Sequence, residues 1–138
     1  MPPELTPKEQ VVRAWLLKAR NDLESARRLL EGPSPILDAA CFHCQQAAEK
    51  SLKAFLVWNE REPPRTHALG LLLDAGLACE ARLEEHRAHC ERLTAYAVEI
   101  RYPDSAAEPT PEKAVAAFEA AEALVSFILG IVPPQVRH

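Results

Sequence analysis

Between positions 45 and 53 the chain sets out Gln45, Gln46, Glu49, Lys50 and Lys53: two amides, one carboxylate and two ammonium groups. Wound at about 100° per residue, these five share one arc of a helix. Ammonium and amide N–H groups side by side are the donors that a phosphate accepts from, and a carboxylate among them could meet a ribose or a base edge. The same residues also have a plainer use. Glu49 and Lys53 stand at i,i+4, a pair worth about 0.3 kcal/mol on a solvated helix face. The sequence holds no glycine-rich phosphate loop, which excludes a P-loop-type nucleotide site.

Three other groups of residues could carry chemistry. Arg101, Tyr102 and Asp104 bring a guanidinium, a phenol and a carboxylate into one turn, where an ion pair of Arg101 with Asp104 or Glu49 would pin the backbone. His67 follows Thr66 and could face a ligand near Arg101, or orient its turn by bonding a backbone carbonyl, the commoner role of a lone histidine. Cys41-x-x-Cys44 and His86-x-x-His89-Cys90 would together suit a tetrahedral zinc ion. Cys41 and Cys44, however, fall on the apolar arc of a helix with no strand before it, where thiols behave as small hydrophobes. No metal and no cofactor is expected.

Helices must position these residues. Opposite the polar arc, Cys41, Cys44, Ala48, Leu52 and Phe55 recur at spacings of three and four, so a neighbouring helix can approach closely. That second helix is predicted from Ser34-Pro35 to about Asn59. Thr6-Pro7-Lys8-Glu9 has the form of a capping box, and Val12, Trp15, Ala19, Leu23, Ala26 and Leu30 continue a first helix until Gly32-Pro33 stops it. Thr66 is predicted to cap a short third helix over 67–77, and a fourth is predicted over 81–100 with Leu83, Cys90, Leu93, Ala97 and Ile100 on one side. Thr110-Pro111-Glu112 opens a fifth, which should bury Val115, Phe118, Ala121, Val125 and Ile128 before ending near Gly130. No strand is predicted. Four long helices and one short one, joined by short connections, imply an all-α, up-and-down four-helix bundle with one additional short helix.

The 138 residues fit a single domain, 1–138, with 1–6 and 132–138 as flexible ends. A net charge of −4 argues against a dedicated nucleic-acid coat while leaving room for a local basic patch. No apolar run approaches 18 residues and the start lacks a basic and then apolar leader, so neither a membrane span nor a signal peptide is expected. The four cysteines then read as reduced thiols in the cytoplasm.

Gln45-Gln46-Ala47-Ala48-Glu49-Lys50-Ser51-Leu52-Lys53-Ala54 resembles the signature helix of the HEPN domain (higher eukaryotes and prokaryotes nucleotide-binding). Pro64-Arg65-Thr66-His67-Ala68-Leu69 resembles that family's P-x-T-H-x-L segment, and Ala97–Asp104 its R-Y-P-D turn. The resemblance spans roughly 10–131 and implies the same four-helix bundle with an extra short helix. It implies a homodimer with the Arg101 turn near the two-fold axis. Ribonucleases of the family have an Arg, then four to six intervening residues, then His, but here 106, 107 and 108 are Ala, Ala and Glu. The expected function is therefore a nucleotide- or RNA-phosphate-binding module, around Gln45, Gln46, Glu49, Lys50, Lys53, Arg101, Tyr102 and Asp104. It is expected to partner a minimal nucleotidyltransferase in a toxin–antitoxin-like pair. The alternative is a metal-independent ribonuclease with a displaced site, using Arg101 and His67.

Overall fold

In a computed structural model, which describes residues 3–97 and 108–137, the chain is all helical; among the described residues there is no strand. Five α-helices follow in order: α1 (Pro7–Leu30), α2 (Leu37–Trp58), α3 (Leu69–Leu77), α4 (Arg87–Thr94) and α5 (Pro111–Ile131). Short 3-10 segments, Ala81–His86 and Pro134–Val136, precede α4 and follow α5.

The starts of α1 and α5 follow the sequence closely. The Thr6 hydroxyl accepts from the Glu9 N–H at 3.1 Å and the Glu9 carboxylate accepts from the Thr6 N–H at 2.9 Å, the reciprocal bonds of a capping box. At α5 the Thr110 hydroxyl accepts from the Lys113 N–H, with Pro111 in the first turn. The first helix ends at Leu30, and Gly32 beyond it takes a φ of +88°, a conformation that only glycine enters without strain.

Other boundaries differ. Pro35 delays α2 to Leu37, two residues past the expected start. Thr66 closes a turn onto the Ala68 N–H at 3.0 Å instead of capping a helix at 67, and α3 begins at Leu69. The largest correction concerns the fourth helix, expected over 81–100. Its first part is wound as a 3-10 helix, capped by the Glu80 side chain, and its α-helical part spans 8 residues. Thr94 turns its hydroxyl back onto the Cys90 carbonyl at 2.8 Å, and helical winding stops there. Ile100, named for that helix, lies outside the described residues, while Leu83, Cys90 and Leu93 are buried as expected.

The architecture is thus three long helices, α1, α2 and α5, packed on one another, with α3 and α4 closing the remaining side. At the centre, α2 touches all four other helices. This explains the burial of both its small apolar residues (Cys41, Cys44, Ala48) and its large ones (Leu52, Phe55). On α5 the buried line is Ala114, Ala117, Ala120, Ala121, Leu124, Val125 and Ile128; Val115, expected inside, is 48% exposed, one step off that line. Against the expectation from sequence, α5 is long and apolar enough to cross a membrane, with a mean hydropathy of 1.8 over its best window. Its alanine and aliphatic face is spent instead on α1, α2 and α4. Within 132–137, expected as part of a flexible end, two valines lie in the core. Val132 and Val136 are buried, and the Arg137 guanidinium donates to the Val132 carbonyl at 2.8 Å.

Candidate functional site

Because α2 is the central helix, its polar arc is not the solvated face the sequence suggested. Gln45 is fully buried and Glu49 is 5% exposed. A carboxylate in that position is costly unless its lone pairs are satisfied, and here they are. Oε1 of Glu49 accepts from His67 Nδ1 at 2.8 Å and from Gln45 Nε2 at 3.1 Å, and Oε2 accepts from Lys53 Nζ at 3.0 Å. Burial by itself would raise the Glu49 carboxyl; the bonds from His67, Gln45 and Lys53 together outweigh it and hold the group below its ordinary value. Gln45 Nε2 also donates to the His67 carbonyl at 3.2 Å, and Gln46 Nε2 donates to Gln45 Oε1 at 2.8 Å. The Lys53 ammonium lies 5.9 Å from the ring centre of Trp15 on α1, a cation–π contact that fixes its other side.

His67 is therefore tied to a buried carboxylate, and not to a backbone carbonyl as its sequence context suggested. The carboxylate can only accept, so Nδ1 carries a proton, and Nε2 stays outside this bond. The side chain is 70% exposed, which leaves the body of the ring at the surface.

Lys50 leaves this network and reaches the other way, to α1. Its Nζ donates to Asp22 Oδ2 at 2.6 Å, and Asp22 Oδ1 accepts from His43 Nδ1 at 2.8 Å. Asp22 and His43 were not singled out as site residues from sequence. A signal existed: Asp22 falls between Ala19 and Ala26 on the buried stripe of α1, where an acid requires partners. The same construction thus occurs twice along α2, with Glu49 of α2 and with Asp22 of α1: a buried carboxylate holding one imidazole by Nδ1 and one lysine of α2. In both, the ammonium spends one N–H on the carboxylate and keeps further donor capacity, and the ring bonds through Nδ1, leaving Nε2 out of that bond.

The HEPN domain model matches residues 12–131. The chain belongs to the HEPN domain family. It is similar to the crystal structure of a protein from Thermus thermophilus, at 29% identity and a TM-score of 0.74, over 88% of this chain and 98% of that one. It is also similar to an archaeal HEPN homologue, at 27% identity and a TM-score of 0.69, over 86% of this chain and 95% of that one. No curated protein matches it.

Two of the segments that carry the HEPN resemblance meet in one network: Gln45, Gln46, Glu49 and Lys53 of the signature helix bond with His67 of the Pro64–Leu69 segment. The third, with Arg101, Tyr102 and Asp104, lies outside the described residues. Among the described residues no three His, Cys, Asp or Glu side chains are grouped to hold a metal ion. Cys41, Cys44 and Cys90 are buried in the core, and burial pushes the Cys44 and Cys90 thiols up to about 12.

Proposed function

We propose that this HEPN-domain protein is a non-catalytic module that binds a nucleotide or RNA phosphate along the polar stripe of α2. We further propose that it acts in the cytoplasm as a homodimer, beside a minimal nucleotidyltransferase in a toxin–antitoxin-like pair. One observation carries the binding reading. Lys50 and Lys53 each spend one N–H on an internal carboxylate, so both ammoniums are held in place with donors to spare. Gln46 lies between them on the arc, and Arg101 would supply a third cation if its turn closes on the same groove. The ribonuclease reading is not preferred, since no histidine follows Arg101 at the spacing that chemistry uses.

The test is a titration with nucleotides and a short RNA, comparing the wild type with Lys53→Gln combined with Arg101→Ala. Loss of binding with a melting temperature within a few degrees of the wild type supports the module. Unchanged binding returns both residues to structural ion pairs. Metal-independent RNA cleavage by the purified protein, abolished by Arg101→Ala, would replace the module with an enzyme. Co-purification with the product of a neighbouring nucleotidyltransferase gene tests the pairing.

A further inference from the structure

His86 closes the 3-10 segment before α4 and His89 lies in the first turn of α4. Residues i and i+3 at the start of a helix are neighbours on its surface. The two rings accordingly face each other with Nδ1 to Nδ1 at 3.2 Å and centroids 5.3 Å apart. In the free protein one ring donates and the other accepts. His86 is fixed on its far side by the Phe127 ring of α5, 4.8 Å between centroids. Both histidines are half-buried.

Two nitrogens bound to one zinc ion at about 2.0–2.1 Å, with a tetrahedral angle between them, stand about 3.3 Å apart. The observed 3.2 Å is close to that span. We infer that His86 and His89 form a bidentate site for a borderline divalent transition ion such as zinc or nickel, with the remaining positions open to water or an outside ligand. This differs from the four-ligand cysteine–histidine site weighed from sequence, because Cys41, Cys44 and Cys90 stay in the core as protonated thiols.

The surroundings tolerate a cation. Glu85 lies close enough to His86 to act on it electrostatically, and its carboxylate is exposed and able to turn. The nearby Arg82 guanidinium, 5.4 Å from the Phe127 ring, has its charge met by Glu80 at 2.7 Å.

The experiment is calorimetric titration of untagged, chelator-treated protein with nickel and, separately, with zinc. One ion per chain is expected, with affinity falling at least tenfold in His89→Ala, a change that leaves the His86–Phe127 contact in place. His43→Ala and His67→Ala should bind as the wild type does. Absence of saturable binding overturns the site, and so does binding that His89→Ala leaves unchanged. If His86→Ala fails to fold, His89→Ala alone decides.

Discussion

Glu49 and His67 lie 18 residues apart in sequence and share a 2.8 Å hydrogen bond that ties the segment before α3 to the middle of α2. The carboxylate is 6% exposed and the imidazole 70%, so the bond runs from the core to the surface. Removing Glu49 removes the acceptor for three donors at once. Glu49→Ala should destabilise by about 3 kcal/mol, since Lys53 and Gln45 are left with unmet donors in a buried place. Glu49→Gln keeps one acceptor and should cost about half as much. Urea denaturation at neutral pH measures both.

The pH dependence has a definite sign. The Glu49 carboxyl sits below its ordinary value of 4.5 in the folded protein, so the folded state gives up that proton more readily than the unfolded chain. Its contribution is full above the unfolded value and is lost as pH falls through the folded one. The stability gap between wild type and Glu49→Gln should be constant from about pH 7 to 5 and close below about 4.5. A gap that widens in acid would show that Glu49 is not the group responsible.

The long helices, the caps of α1 and α5 and the apolar arc of α2 were legible because period and capping are local properties. Thr6, Thr110 and Gly32 do in the structure what their positions imply. The fate of the polar arc was not legible. Whether Gln45 and Glu49 face water or protein depends on how many helices surround α2, and periodicity on one helix does not count its neighbours. The pairing of Lys50 with Asp22 was hidden for the same reason, as it joins residues 28 apart. The fourth helix failed differently. Leu83, Cys90 and Leu93 keep their burial whether the backbone winds as 3-10 or α, so the apolar pattern did not report the change of winding.

Two exposed positions should respond to substitution with opposite signs. Gly32 has φ +88° and open space around it, so Gly32→Ala costs about 1 kcal/mol through backbone strain alone. Glu60 follows the end of α2 with φ 61°, the conformation glycine prefers just past a helix. Glu60→Gly should stabilise by up to about 1 kcal/mol. Its ion pair with Lys8 spans 3.8 Å at a side chain 80% exposed, too weak to reverse that gain. Thermal melts of the two variants check the pair of signs.

The Asp22–Lys50 bond offers the sharpest test of the second carboxylate. Asp22 is 8% exposed and holds both Lys50 and His43, whose side chains are 22% and 31% exposed. A double-mutant cycle with Asp22→Asn and Lys50→Met should give a coupling of about 1–3 kcal/mol, because the pair is largely withdrawn from water. The double variant should be more stable than Asp22→Asn alone, since that single change strands the Lys50 charge against an amide. On the same helix, Glu24 meets Arg27 and Arg28 at the surface, where its carboxyl is held down to about 2 by hydrogen bonds from Arg27 and then Arg28. That exposed cluster should lose its coupling as salt is added, since the Debye length shortens to about 3 Å at 1 M. The Asp22–Lys50 coupling should persist at the same salt concentration. If both couplings vanish together, Asp22 is solvated, and the ammonium of Lys50 is not held in place for an anion.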